Sequence, residues 1–580
     1  MRRLCLHFLV LILGLIGSGR CRNVLQTTAE GTQTKESVVQ QDEPAQRAAG
    51  VTFALAKHFQ DNMVLQRAPE RANIYGFSPD IGKKIIAQMN TPSKQYDYTT
   101  VVTAGSTAGV GVWKITLDPL KAGVTVTIKV VSDRGTLNLK NVIFGDVWIC
   151  SGQSNMQFNV FMMSDAAAQT ADAHNYPNIR LMTVSMRNST FPLDDLVAID
   201  QAWTSPNSGA MGRWAWDYFS AVCWVFGKQV HRATGVPVGL IASDWGGTPL
   251  NAWSSPESLQ KCRAAKATSR RTVGAAEISL PVSDSPNSPP QARAFYVPRD
   301  DSVLWNSMIY PLLGMTLRGA IWYQGETDAD GGTKMNIYNC TFPGMIADWR
   351  EKFSQVSQQT NPLFPFGFVQ LAPNAPQPPY ITVGFPDIRW HQTADYGYVP
   401  NPKMPNVFMA VTLDLPGFNS TYGPTHPQDK ADVGARLALS GLSVAYNQKT
   451  FYQGPFPRSG APSSSGYVLD YGSTWKLVVR SQDVFEFFCE RKDGSYGKWV
   501  VTSSVASNST SITLKSDVCG NDEKIMGVRY AWRTSPCTFK KCAVYSTVNS
   551  LPAPPFVFKA KAGENEVKFS GPFGDGRLEF

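Results

Sequence analysis

A serine hydroxyl becomes a nucleophile only with a base to take its proton and N–H donors to hold the charge that develops on the attacked carbonyl oxygen. Gly152-Gln153-Ser154-Asn155-Met156 offers such a serine. It follows an apolar strand, Val147–Cys150, and precedes a helical pattern. A tight turn there exposes the hydroxyl and gathers backbone N–H groups around it. Met156 stands where a G-x-S-x-G elbow has its second glycine, which argues against the common α/β-hydrolase layout. The base is sought among six histidines. His7 lies in the N-terminal apolar run, His58 in an early β region, His174 in a polar loop and His231 at a helix end. His426, in Gly423-Pro424-Thr425-His426-Pro427, follows the last core strand and precedes a helix, so it can reach over the sheet edge to Ser154. His391, in Arg389-Trp390-His391-Gln392, is its rival.

Other strands also end in residues that suit a reaction centre. Val238–Ala242 runs into Trp245-Gly246-Gly247-Thr248, and Ala320–Tyr323 into Gln324-Gly325-Glu326. Val407–Leu413 leads into the loop from Asp414 to His426. Each alone reads as ordinary loop chemistry. Gathered at the carboxyl ends of successive strands, where an open parallel sheet binds its ligands, they supply the parts for acyl transfer.

The elements that must position these groups follow from periodicity. Strand–loop–helix alternation over residues 141–446 predicts an α/β domain with a mostly parallel sheet. Phe219, Val222, Cys223, Phe226 and Val230 share one helical face, as do Val433, Leu437 and Val444. Residues 263–300, rich in Ser, Pro and Arg, read as a long surface excursion. Short β segments punctuated by Gly, Pro, Asn and Asp predict a sandwich-like domain over 51–140 and a second β-domain over 447–580. Residues 23–50 are polar, without a hydrophobic period, and read as a flexible lead-in. Residues 1–22 read as a signal peptide, with Arg2 and Arg3, an apolar run from Leu4 to Ile16, and small residues after it. No later run is long enough to span a membrane.

Composition narrows the classes. Over 580 residues, 43% hydrophobic and 17% charged content permits a large core and excludes a disordered chain. The net charge of +9 is spread out, with nothing denser than Arg270–Arg271 or Lys540–Lys541, so a nucleic-acid partner is not expected. Cys150, Cys223, Cys262, Cys340, Cys489, Cys519, Cys537 and Cys542 form an even set suited to disulfides in an exported protein, with Cys537 and Cys542 the best local pair. No CxxC pair or HxxxH spacing accompanies these residues, so a zinc site is not expected. Sequons at Asn188, Asn339, Asn419 and Asn508 fit export.

Gly145-Asp146-Val147-Trp148 with Ser151-Gly152-Gln153-Ser154-Asn155-Met156 resembles the nucleophile block of SGNH/GDSL esterases, in the form seen in sialate O-acetylesterases and related carbohydrate acetylesterases. Trp245-Gly246-Gly247-Thr248-Pro249, Trp322-Tyr323-Gln324-Gly325-Glu326 and His426-Pro427-Gln428-Asp429-Lys430 look like the later blocks. Asn339-Cys340-Thr341-Phe342-Pro343, Arg389-Trp390-His391-Gln392-Thr393-Ala394-Asp395, Arg529-Tyr530-Ala531-Trp532 and Leu551-Pro552-Ala553-Pro554-Pro555-Phe556 resemble the animal sialate O-acetylesterases. The resemblance spans about residues 51–560. It implies an SGNH core flanked by N- and C-terminal β-domains, and removal of O-acetyl groups, 9-O-acetyl favoured, from sialic acids by a secreted or lysosomal enzyme that needs no metal and no cofactor. It assigns Ser154 as nucleophile, His426 as base, and an oxyanion hole of the Ser154 N–H, Gly246 or Gly247, and the Gln324 amide. Many SGNH enzymes carry the acid three residues before the histidine, where this chain has Gly423. That leaves Asp414 or a backbone carbonyl to orient His426, with Asp429 and Glu326 poorer candidates. Glu326 is expected to hold Gln324, and His391 and Arg389 to lie in a supporting or substrate-binding position. The alternatives are an acetylesterase for another glycan and a sugar-binding protein with a degenerate site. Oligomeric state is left open.

Overall fold

The computed structural model describes residues 51–560 apart from Ala108, 273–296, 376–380 and Asp483, together with Glu564, Val567, Phe569 and Ser570. The expected signal peptide and lead-in lie outside the described residues. A mixed parallel sheet forms the centre. Its strands are β1 (Gly135–Gly152), β2 (Ile179–Val184), β3 (Ile199–Thr204), β4 (Val238–Asp244), β5 (Gly319–Tyr323), β6 (Phe366–Gln370) and β7 (Val407–Val411). Their order is β3-β2-β4-β1-β5-β6-β7. Every neighbouring pair is parallel except β2–β3. The apolar runs of β4, β5 and β6 are wholly buried, as expected of strands covered on both faces.

Helices α1 (Ser154–Gln157), α2 (Ala221–Thr234), α3 (Pro256–Thr272), α4 (Gly332–Ser357), α5 (Phe385–His391) and α6 (Lys430–Tyr446) connect these strands. Asp429 caps α6 by accepting from the Asp432 N–H at 3.1 Å. Helices α2 and α6 approach closely because Gly434 has no side chain; a Cβ there would fall 2.5 Å from that of Val225. Helix α3 extends to Thr272, into the stretch read as a surface excursion. The rest of that stretch up to residue 296 lies outside the described residues.

The strand β1 crosses the boundary expected between residues 140 and 141. Its first half pairs antiparallel with Thr125–Ser132, its second half parallel with β4 and β5. The side chains show the change: exposed and buried positions mix before Val142, and every position from Val142 to Gly152 is buried. Strand Val64–Gln66 also joins, parallel to Ile143–Gly145. After α6 the sheets are antiparallel and enclose a second core around Tyr467, Phe487, Tyr530 and Phe556.

All eight expected cysteines pair, as Cys150–Cys223, Cys262–Cys340, Cys489–Cys519 and Cys537–Cys542. The first joins β1, just before the nucleophile turn, to α2. No helix among the described residues is long and apolar enough to cross a membrane.

Candidate active site

The turn after β1 is built by Gly152. Its φ is +142°, and a Cβ would lie 2.2 Å from the Tyr323 carbonyl oxygen, so the position requires glycine. Ser154 then opens α1, half-buried, where its N–H has no carbonyl four residues back within the helix. The His426 Nε2 lies 2.8 Å from Ser154 Oγ, and its Nδ1 lies 2.8 Å from the Tyr422 carbonyl oxygen. A carbonyl only accepts, so Nδ1 carries the hydrogen and Nε2 is left to take the serine proton. Burial lowers the His426 pKa, the Tyr422 bond opposes this, and the nearby Lys430 charge lowers it further. The Trp216 ring stands edge-on to the imidazole, 5.1 Å between centroids, and excludes water on that side.

Asn155, next to the nucleophile, donates to Glu326 Oε1 at 2.5 Å and to the Thr425 carbonyl at 2.9 Å. Its own Oδ1 accepts from Lys430 Nζ at 2.6 Å. Gly246 packs against the serine: a Cβ there would come within 3.2 Å of Ser154 Cβ.

The mouse sialate O-acetylesterase is 39% identical to this chain over 532 residues, covering 88% of this chain and 95% of its own. The chain belongs to the sialate O-acetylesterase family. The human sialate O-acetylesterase is 39% identical over 522 residues, covering 88% and 94% of the two chains. Residues 460–560 match the family described as the sialate O-acetylesterase C-terminal domain. Among solved structures, a carbohydrate acetylesterase from Xanthomonas citri is similar at a TM-score of 0.68 and 25% identity, covering 88% of this chain and all of that one.

Within this sialate O-acetylesterase framework several residues take other places than the sequence predicts. Asp414 does not reach His426. It is wholly buried, and its carboxylate accepts from Arg436 Nη1 at 2.6 Å, Arg436 Nη2 at 3.0 Å and Tyr545 Oη at 2.9 Å. Of the two alternatives for orienting His426, the backbone carbonyl stands at Nδ1. The Gln324 amide does not face Ser154 either. Its Nε2 donates to Asp328 Oδ2 and to the Thr248 carbonyl, while its Oε1 accepts from Tyr338 Oη at 3.0 Å. Asp328, pushed up to about 6 by burial, thus holds Gln324, the task expected of Glu326. The Gly246 N–H donates to Gln157 Oε1 at 2.8 Å. No acceptor is found among the described residues for the N–H of Gly247.

Arg389 takes a supporting place. It is fully buried and donates to the carbonyls of Leu371, Ala372, Arg533 and Thr534. His391 pairs through Nδ1 with Asp395 Oδ1 at 2.6 Å, not with Ser154. Of the sequons, Asn188 is buried, and Asn339 donates its Nδ2 to Asp395. Asn419 and Asn508 are exposed. Asn155, Gln157, Tyr422 and Lys430 escaped the sequence reading. Asn155 and Lys430 lie inside the quoted motifs, which was the one signal available for them.

Proposed function

We propose that this chain is a serine esterase that removes O-acetyl groups, 9-O-acetyl favoured, from sialic acids through an acetyl-Ser154 intermediate. The observation that carries the reading is the 2.8 Å approach of His426 Nε2 to Ser154 Oγ, with the opposite nitrogen held by the Tyr422 carbonyl. His426 takes the Ser154 proton as Oγ attacks the acetyl carbonyl carbon. The N–H groups of Ser154 and Gly247 bind the oxyanion. His426 then returns the proton to the departing sugar oxygen, and a water that it activates hydrolyses the acetyl ester. This is a Ser–His dyad oriented by a backbone carbonyl. The relatives named as sialate O-acetylesterases support the substrate class. The disulfides and the exposed Asn419 and Asn508 support a secreted or lysosomal glycoprotein.

The test is acetate release from 9-O-acetylated sialic acid, with acetylated xylan oligomers as control. Ser154→Ala should lower kcat by about 10³-fold or more while the protein stays folded. A preference for the xylan oligomers would favour the second reading, an acetylesterase for another glycan, which the similarity to the Xanthomonas citri carbohydrate acetylesterase supports. Failure of a phosphonate to label Ser154 would leave a sugar-binding protein with a degenerate site.

A further inference from the structure

His426 sits on a loop, and a loop histidine needs something to fix its distance from a nucleophile on another element. Both carbonyls that flank it are held. The Thr425 carbonyl accepts from Asn155 Nδ2 at 2.9 Å, and the Pro427 carbonyl accepts from Lys430 Nζ at 2.7 Å. The two donors are joined to each other by the 2.6 Å bond from Lys430 Nζ to Asn155 Oδ1. Asn155 spends its remaining hydrogen on Glu326 Oε1, just beyond β5. One buried amide therefore links the nucleophile turn, the histidine loop, the start of α6 and the end of β5.

This arrangement is costly. Lys430 is 0% exposed, Asn155 1% and Glu326 8%. Burial pulls the Lys430 ammonium down to about 7 and raises the Glu326 carboxyl, while the attraction between the two partly offsets each shift. The faces of Phe158 and Tyr323 lie 4.6 Å and 5.5 Å from Lys430 Nζ and close the space around it. Glu326 Oε2 has no hydrogen-bond partner among the described residues. Well-packed apolar residues of similar volume often replace a buried ion pair without loss of stability, so the role to test for the polar trio is geometry. A misplacement of about 1 Å in a reacting pair costs about a hundredfold in rate.

We propose that Asn155, Lys430 and Glu326 are positioning residues, a buried clamp that sets the separation of Ser154 and His426. The proposal rests on the reading of Ser154 and His426 as nucleophile and base. Its test uses the full chain and a fluorophosphonate, whose reaction with Ser154 reports nucleophile activation without sugar recognition. p-Nitrophenyl acetate turnover supplies kcat and KM. Asn155→Leu should slow labelling about a hundredfold and lower kcat in parallel, with KM within about threefold. Should Asn155→Leu fail to fold, Lys430→Met, which keeps the stem and loses the donor, decides in its place. Glu326→Gln keeps an acceptor oxygen for Asn155, so its labelling should exceed that of Glu326→Ala by more than about tenfold. A merely structural role would lower the melting temperatures without separating those two variants in labelling rate. If wild-type Ser154 is not labelled at all, the nucleophile reading itself falls. If it is labelled, and Lys430→Met and Glu326→Ala react within about threefold of it, the clamp is overturned and the esterase reading stands.

Discussion

The Nδ1–H of His426 meets a carbonyl oxygen where many serine hydrolases have a carboxylate. A carbonyl fixes the tautomer as well as a carboxylate does, but it brings no full charge to stabilise the imidazolium. Burial and the Lys430 charge therefore lower the His426 pKa, with only the Tyr422 bond opposing. Catalysis needs the neutral ring, so a lowered pKa extends activity to more acidic conditions. The acid limb of kcat/KM should have its midpoint below about 6.5, the ordinary histidine value. A midpoint above that value would mean that another group sets the limb. Lys430→Met, which removes a charge that lowers the pKa, should move the midpoint upward. His426→Ala should lose activity by about 10³-fold or more, whereas His391→Ala, which breaks only the pair with Asp395, should keep kcat within about tenfold. Gln324→Ala removes the side-chain partner of Tyr338 Oη and of the Thr248 carbonyl, and leaves Asp328 with the Leu250 N–H alone. Its effect should appear in thermal unfolding, at about 1–3 kcal/mol for each buried group left unpaired.

At the scale of elements, two devices hold the nucleophile turn. Gly152 lets β1 pass within contact of β5, and Cys150–Cys223 ties the end of β1 to α2. Gly152→Ala should displace Ser154 and slow its labelling about a hundredfold. Replacing both cysteines by alanine should lower unfolding stability by about 2–5 kcal/mol, with a smaller effect on kcat in the folded protein. Melting curves and initial rates of the two variants separate these outcomes. The contrast shows what the sequence made legible. Ser154 and His426 could be read because a turn serine follows the first strand of one parallel-sheet pattern and a loop histidine follows its last. The alternation that predicts β4, β5 and β7 also places their loops at one end. Side-chain direction is not written in periodicity. Gln324 has the right chemistry at the right strand end, yet Asp328, one helical turn on, draws its amide away from the serine. Lys430, following the helix-capping Asp429, carries no sequence signal of its burial, because only the folded α6 shows that its first turn faces the core. The boundary after residue 140 is likewise invisible, since β1 belongs to two sheets and changes its exposure pattern only midway.

At the scale of the whole molecule, buried charges away from the Ser154–His426 pair join the central sheet and its helices to the C-terminal region. Arg436 and Tyr545 converge on Asp414, and the Lys540 N–H donates to the Asp414 carbonyl at 2.8 Å. Arg389 reaches the carbonyls of Arg533 and Thr534 at 2.7 Å and 2.8 Å. These bonds replace water around groups that would otherwise be desolvated without compensation. Asp414 thus serves the packing of one region on the other rather than the proton relay. Removing one member of a buried ion pair costs about 3–5 kcal/mol, because the partner charge stays behind in the core. Asp414→Ala should lose stability on that scale, while the fraction that remains folded keeps kcat within about tenfold. His426→Ala should show the opposite pattern, with activity lost and the melting temperature nearly unchanged. Paired melts and initial rates on the two variants decide the matter. A folded Asp414→Ala protein with kcat reduced about 10³-fold or more would return the acid's role to Asp414, and would require the loop to rearrange so that its carboxylate replaces the Tyr422 carbonyl at Nδ1.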